Sequence, residues 1–288
     1  MAAVRPFFKQ HPALSYFVLT FVLSWGCILL VVGPGGILGS PAQVEILFPF
    51  VFLAMLVGPF VSGLLLTGLV HGKQGYRDLL ARLIRVRVNV GWYGAALLIA
   101  PVMVVATLLL LLLASPMYLP GIFTAENKGS LIVFGFSIAF GAGIFEEIGW
   151  TGFVIPVLRQ RYSVLKTGLI VGFLWGLWHV LVSFWGSGKV SGGLDLSLFI
   201  PPLFFYAGVL PVYRVLMVWV YDRSQSLLLA ILMHACLTAS VPMILAPPEL
   251  IGTPLVIWYL VLTATLWLFV AVIAWFNGGR LTRPVVEV

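Results

Sequence analysis

FGAGIFEEIGWTGFVIP, residues 140–156, is an apolar segment that carries two adjacent carboxylates, Glu146 and Glu147. A charged side chain in the hydrocarbon region of a bilayer costs about 3 kcal/mol on insertion scales, so such residues are rare and usually functional. Consecutive helical residues point about 100° apart. One carboxylate can therefore face a cavity while the other anchors the helix to a neighbour.

A simpler interpretation places the pair among the lipid headgroups, at the cytoplasmic end of a membrane span, where a charge is tolerated. The apolar sequence, however, continues beyond the pair to Leu158. The segment therefore favours two carboxylates inside the membrane, and we take both as candidate site residues.

The composition of the whole chain predicts an integral membrane protein. Of its 288 residues, 61% are hydrophobic and only 9% are charged, whereas about 25% of the residues of a soluble domain carry charge. The net charge of +7 does not indicate nucleic-acid binding, because the Lys and Arg residues fall between apolar runs, as juxtamembrane anchors do. Cys27 and Cys236 are too few and too isolated for a disulfide framework or a paired-cysteine metal site.

Apolar runs long enough to cross about 30 Å of hydrocarbon occur near residues 13–33, 46–70, 91–114, 131–157, 168–186, 199–220, 226–246 and 254–276. The segments between them are short, and none resembles an interdomain linker. The sequence therefore predicts an all-α polytopic bundle of about eight transmembrane helices, with residues 1–288 forming a single membrane domain without internal repeats.

Thirteen of the sixteen basic residues fall on one side of this arrangement. They are Arg5, Lys9, Lys73, Arg77, Arg82, Arg85, Arg87, Arg159, Arg161, Lys166, Arg223, Arg280 and Arg283. Because short cytoplasmic loops are rich in Lys and Arg, both termini are predicted to be cytoplasmic, in the cell (plasma) membrane. Arg214 lies inside the sixth run, and we expect its side chain to extend toward the cytoplasmic face. Residues 71–89 show helical spacing of leucines among basic residues, which is compatible with a membrane-surface helix or with a solvated connector whose charge only fixes the topology.

His179 and His234 lie inside the fifth and seventh runs. At 1.5 Å per residue, Glu146 lies about 15 Å from the cytoplasmic end of its run, His179 about 17 Å and His234 about 12 Å. Side chains at such similar depths can meet. Together they supply what hydrolysis requires, a base that activates water and donors for a developing oxyanion.

Small residues flank these polar groups and permit close helix packing; they are Gly141, Ala142, Gly143, Gly149, Gly172 and Gly176. The neighbouring tryptophans, Trp150, Trp175 and Trp178, are more typical of packing than of a ligand site. Two histidines and a carboxylate also make a catalytic zinc set, but the HExxH pattern is absent. We therefore favour a site with no cofactor and no metal ligand, and keep zinc as the alternative.

At these residues the chain resembles the CPBP family of intramembrane proteases, the CAAX-protease and bacteriocin-processing family also called Abi. That family is marked by a Glu-Glu pair followed four residues later by Arg, by Phe-x-x-x-His and by His-x-x-x-Asn. The corresponding stretches read EEIGWT (146–151), WGLWH (175–179) and HACLT (234–238). The resemblance covers a core of about residues 131–246. Thr151 stands in place of the family's Arg, and Thr238 in place of its Asn.

The resemblance implies an intramembrane endopeptidase, a peptide hydrolase that acts on membrane-embedded or lipidated peptides of the CAAX or bacteriocin-processing type. It implies that Glu146 and His179 activate a water molecule, and that His234 with Thr238 stabilises the oxyanion. Glu147 would orient the site. The implied partners are the lipid bilayer and a peptide substrate, with no nucleic acid.

Two other functions are compatible with the same residues. A proton-coupled transporter would use the carboxylates and histidines as a relay, although no inverted repeat of broken helices is visible. A catalytically silent immunity or binding protein on the same scaffold is the other alternative, since Thr151 and Thr238 both depart from the family pattern.

Overall fold

The computed structural model describes residues 4–33, 36–279 and 281. In these residues, eight helices are long and apolar enough to cross a membrane, and no β-strand occurs. We number them α1 (Pro12–Val32), α2 (Pro41–Leu83), α3 (Val90–Leu112), α4 (Lys128–Arg159), α5 (Val164–Trp185), α6 (Leu196–Ser224), α7 (Leu227–Ile244) and α8 (Thr253–Phe276). The predicted all-α polytopic bundle is confirmed. Short helices, Val4–Gln10, Pro116–Tyr118 and Gly121–Thr124, lie outside these spans.

Polar side chains set the starts of the helices that carry the site. The first turn of a helix has backbone N–H groups without a partner inside the helix. The side-chain oxygens of Ser, Asn and Asp can accept hydrogen bonds from these groups. Such caps begin α4 (Asn127), α5 (Ser163), α6 (Asp195) and α7 (Ser226). The register of each helix, and hence the depth of its polar residues, follows from these starts.

Helix α7 lies at the centre of the bundle. Of the 18 residues of α7, 72% are buried inside the protein, compared with 28% of an 18-residue window in α1 and in α8. Helix α7 packs against α3, α4 and α6. The outer helices instead present apolar side chains such as Leu30 and Trp275 outward, as is expected of surfaces that face lipid tails. The polar side chains of α4 and α7 are thereby enclosed by protein, where they can pair with one another.

Close packing of α5 against α6 depends on three glycines on one face of α5, at positions 168, 172 and 176. A Cβ atom at Gly172 would lie 2.4 Å from the Cα atom of Pro211, and one at Gly176 would lie 2.2 Å from the carbonyl oxygen of Tyr206. No side chain fits at such distances. The predicted role of Gly172 and Gly176 in close helix approach is therefore confirmed. The same prediction for Gly141 was wrong, because a Cβ atom there would meet nothing within 4 Å.

Four π-helical turns interrupt the described helices. They are Thr67–His71 in α2, Trp150–Val154 in α4, Phe205–Val209 in α6 and Ala239–Ile244 in α7. Such turns are rare among helices as a whole, but those that occur are often found at functional sites. They redirect side chains and leave some backbone carbonyls without a regular helical partner. The turns in α4, α6 and α7 adjoin the candidate site.

Within residues 71–89 a helix forms over Gly72–Leu83 and continues α2 beyond its π turn, whereas residues 84–89 are not helical. The position of this helix at the membrane surface stays a prediction. Its Arg82 bridges three helices, since Nη1 donates to the Tyr221 hydroxyl at 2.8 Å and Nη2 donates to the Gly152 carbonyl at 2.9 Å. Gly152 lies in the π turn of α4, where carbonyl groups lack regular helical partners. Arg82 therefore secures the end of α4 that follows the two carboxylates.

The basic segments gather at one end of the bundle. There Arg159 pairs with Asp222 at 2.9 Å, and the Ser226 hydroxyl donates to the Arg85 carbonyl. At the opposite end the Gly121 N–H donates to the Leu245 carbonyl. Arg280, Arg283 and the side chain of Arg5 lie outside the described residues. Which end is cytoplasmic stays a prediction.

Candidate active site

Helix α4 places its two carboxylates in different surroundings. The Glu146 side chain lines a cavity of about 280 Å³, whereas Glu147 is fully buried behind it. The polar side chains of the cavity wall are Glu146, Trp175, His179, Tyr206, His234, Thr238 and Tyr259. Four of the five predicted site residues therefore line one cavity. Glu147 does not line it but contacts His234, which does. Their catalytic roles stay a prediction.

Two side chains approach the Glu146 carboxylate. The indole Nε1 of Trp175 donates to its Oε2 at 2.7 Å, and the Nε2 of His234 lies 3.7 Å from its Oε1. The carboxylate comes from α4, the indole from α5 and the imidazole from α7. The hydrogen bond from Trp175 orients the carboxylate, so that its other oxygen faces His234.

His179 has a defined orientation. Its Nδ1 lies 2.8 Å from the Trp175 carbonyl oxygen, which can only accept, so Nδ1 carries the proton. The ring stacks on Tyr206 with a centroid separation of 5.1 Å and meets Trp178 edge-on at 4.9 Å. Because Nδ1 is engaged, Nε2 is the nitrogen that can accept a hydrogen bond in the cavity.

His234 joins the two glutamates. Its Nδ1 lies 2.8 Å from Oε1 of Glu147, and its Nε2 faces Glu146. The side chain is 2% exposed. The ionised Glu147 carboxylate accepts only, so Nδ1 carries the proton and Nε2 is the nitrogen that can gain or lose one.

Glu147 is the anchor of this network. Its Oε2 accepts from the Thr151 hydroxyl at 2.5 Å, and Nη1 of Arg214 lies 3.0 Å from Oε1 and 2.8 Å from Oε2. Both charged side chains are 0% exposed. A buried charge is stable only when it is paired and hydrogen-bonded, and here Arg214 supplies the opposite charge.

The expectation for Arg214 was wrong. Its side chain does not extend toward the membrane surface but turns inward to Glu147 and lies over the Trp175 ring at 4.0 Å. An arginine can reach the headgroups only along a lipid-facing surface, and close packing of α6 against Gly172 removes that route. The isolated charge in an apolar run was the signal that could have identified it.

Two aromatic residues of the site were also missed. Trp175 was assigned to packing, yet its N–H donates to Glu146. Tyr206 stacks on His179 and its hydroxyl lies 2.6 Å from Ser183. Neither contact leaves a signal in the sequence, because each partner comes from a different part of the chain.

The two threonines occupy different positions. Thr238 lies one turn after His234, just before the π turn of α7, and its half-buried side chain lines the cavity. Thr151 is fully buried and contacts Glu147 instead. Only Thr238 is placed where its hydroxyl can donate to a group in the cavity.

The choice of a metal-free site over zinc stays a prediction. Among the described residues, no group of three or more His, Cys, Asp or Glu side chains is arranged to hold a metal ion. The nitrogens of His234 face the two glutamates, and Glu146 already accepts from Trp175. A catalytic zinc requires three convergent ligands and an open position.

The helices that carry the site resemble those of known proteins in sequence. Residues 128–240 match the family model described as "Type II CAAX prenyl endopeptidase Rce1-like". The chain is 24% identical over 242 residues to the protein named "CAAX prenyl protease 2" from Methanococcus maripaludis, an alignment that covers 79% of this chain and 82% of that protein. All five predicted site residues, and also Arg214, fall within the residues that match the family model.

Proposed function

We propose a substrate class and a mechanism for this chain from the premise that it is an intramembrane endopeptidase of the CPBP family, which the family match and the Methanococcus relative support. These comparisons do not favour the transporter or the silent binding protein. One observation carries the mechanism: Glu146, His179, His234 and Thr238 line one cavity.

The proposed substrate is a prenylated peptide at the C-terminus of a membrane-associated protein. The names of the matched family and of the relative support this class, and so does the protein's location in the bilayer. Apolar side chains also form much of the cavity wall, among them Phe52, Phe205 and Leu237. A lipidated peptide can reach such a site from within the membrane.

In the first step, Glu146 accepts a proton from a water molecule, whose oxygen attacks the carbonyl carbon of the scissile peptide bond. The contact from Trp175 holds this carboxylate in place. His179 Nε2 accepts the second hydrogen bond of the water and orients its lone pair. A positioned base of this kind accelerates a reaction by about 10²–10⁴-fold.

In the second step, the oxyanion is stabilised by the Thr238 hydroxyl and by His234. Nε2 of His234 can donate only when it is protonated, and the carboxylate that took the proton from water lies 3.7 Å away. The proton passes from Glu146 to His234 and then to the leaving nitrogen as the carbon–nitrogen bond breaks. The products are a new carboxylate and a free amine.

Glu147 takes no part in these proton transfers. It accepts from Nδ1 of His234 and thereby keeps Nε2 directed at the cavity. This arrangement, in which a buried carboxylate orients a histidine that moves protons, is common in hydrolases. No step passes through a metal ion.

The test uses purified protein in lipid nanodiscs with a farnesylated peptide that ends in a CAAX sequence. We expect cleavage of this peptide, at least tenfold slower cleavage of the same peptide without the lipid, and no cleavage by Glu146→Gln. Absence of cleavage of both peptides would contradict the proposal. Equal cleavage of both would contradict the prenylated substrate class.

A further inference from the structure

The carboxylate of Glu147 receives donors from two different helices. Arg214 on α6 approaches Oε2 to 2.8 Å, and Thr151 on α4 approaches the same oxygen to 2.5 Å. Residue 151 is thus already at the carboxylate, but it brings only a hydroxyl group. The positive charge comes from Arg214, which lies 67 residues after Glu147 in the chain.

We propose that Arg214 is a positioning residue for the catalytic groups. An arginine at position 151 would supply a positive charge to Glu147 from α4; here Arg214 supplies that charge from α6 instead. This inference rests on the proposed function. Arg214 does not line the cavity, so it acts on the reaction through the residues that it holds.

The first route of its action runs through Glu147 to His234. Without Arg214, the partners of Glu147 among the described residues are Thr151 and His234, and the uncompensated carboxylate would pull the Nδ1 proton of His234 toward itself. An unpaired buried carboxylate can also rearrange or take up a proton. Either change would disturb the position and protonation of the nitrogen that faces Glu146.

The second route runs through Trp175 to Glu146. The Arg214 guanidinium lies over the Trp175 ring at 4.0 Å, and the indole N–H donates to Glu146. Only Nη1 of Arg214 contacts Glu147; Nε and Nη2 have no hydrogen-bond acceptor among the described atoms. A planar cation over an indole face is attracted to it, so one guanidinium supports both carboxylates of the pair.

Packing explains how α6 brings the charge so close. A Cβ atom at Gly172 would lie 3.1 Å from Cβ of Arg214 and would also clash with Pro211. Glycine at this position therefore allows α6 to lie against α5 at the depth of Glu147. The position of Arg214 at Glu147 therefore depends on glycine at position 172.

The experiment compares four proteins in nanodiscs: wild type, Arg214→Met, Thr151→Arg, and the double variant Thr151→Arg with Arg214→Met. We expect Arg214→Met to lower kcat by about 100-fold, the effect of a small misplacement of catalytic groups, and to leave KM within about twofold. Thr151→Arg alone should also be impaired, because two guanidinium groups then compete for one carboxylate. The double variant should recover kcat to within about tenfold of wild type.

Further variants separate this role from a general need for a folded bundle. Arg214→Lys keeps a cation at the single contact to Glu147 but loses the planar stack, so we expect a kcat between those of wild type and Arg214→Met. Arg161→Met changes an exposed basic residue and should behave as wild type. A wild-type kcat in Arg214→Met would overturn the proposal, as would an Arg214→Lys variant no more active than Arg214→Met.

Measuring the Tm of each variant separates a failure of this inference from a failure of the proposed function. If wild-type protein cleaves no peptide, the proposed function fails, yet the charge replacement predicts that the double variant has a higher Tm than Arg214→Met. If wild-type protein is active and the double variant recovers neither kcat nor Tm, position 151 cannot replace position 214 and the inference fails.

Discussion

Glu146 and Glu147 are neighbours in the chain, but Glu146 lines the cavity while Glu147 pairs with Arg214 at 0% exposure. The rotation of about 100° between consecutive helical residues produces this division. It also gives the two carboxylates different chemistry, because the one at the cavity can exchange a proton with water and the other is held by an ion pair. The expectation that one would face a cavity and the other would anchor the helix is confirmed.

Replacing the proposed base tests the mechanism directly. Glu146→Gln keeps the shape of the side chain and removes its basicity, so we expect peptide cleavage to fall to background while expression and helix content persist. Glu126→Gln, at an exposed position, is the matched control and should remain fully active. A Glu146→Gln variant as active as the parent would remove Glu146 from catalysis.

Removing the proposed oxyanion donor should have a graded effect. Thr238→Val is nearly isosteric and lacks only the hydroxyl, so we expect kcat to fall by about tenfold to a thousandfold. The control is Thr265→Val, since the hydroxyl of Thr265 donates to the Val261 carbonyl within α8. Unchanged cleavage by Thr238→Val would assign the oxyanion to His234 alone.

Chelation tests the proposal that no metal takes part. After dialysis against a strong chelator, we expect the purified protein to cleave the prenylated peptide at its original rate. A metal enzyme would lose activity and regain it with added zinc. Recovery by zinc after such a loss would therefore contradict the metal-free mechanism.

The contact between α5 and α6 can be tested with a single methyl group. Gly172→Ala places a Cβ atom 2.4 Å from Pro211, so overpacking should destabilise the bundle by about 1–3 kcal/mol and slow cleavage by displacing Arg214. At Gly141 a Cβ atom would meet nothing within 4 Å, so Gly141→Ala should be neutral. Equal Tm and activity of the two variants would show that close approach at Gly172 is not required.

The predicted topology rests on the distribution of basic residues. We expect reporter tags inserted after Arg87 and after Arg283 to be cytoplasmic, and a tag in the connection at Gly193, between α5 and α6, to appear on the opposite face. The first two tags on opposite faces would contradict the predicted orientation. The same fusions, expressed in living cells and fractionated, locate the protein in the plasma membrane or elsewhere.

The sequence by itself determined the class of fold and most of the candidate site. Apolar runs of membrane length can only form helices or closed barrels, because each backbone polar group must be paired inside the bilayer. Their length and continuity therefore predicted eight helices, which the structure contains within the residues that it describes. The carboxylates and histidines were recognisable because ionisable residues in apolar runs are rare. The similar depths of Glu146, His179 and His234 along their helices also indicated that these side chains could meet.

Only the tertiary structure decided which polar groups are partners. Arg214, Trp175 and Tyr206 come from helices whose rotation and mutual distance are set by side-chain packing, and a charge in an apolar run does not show which way it points. Gly172 allows α6 close enough for Arg214 to reach Glu147. Hydrogen bonds act over about 3 Å, whereas sequence estimates of depth are uncertain by a helical turn, so the connections of the site depend on the packed bundle.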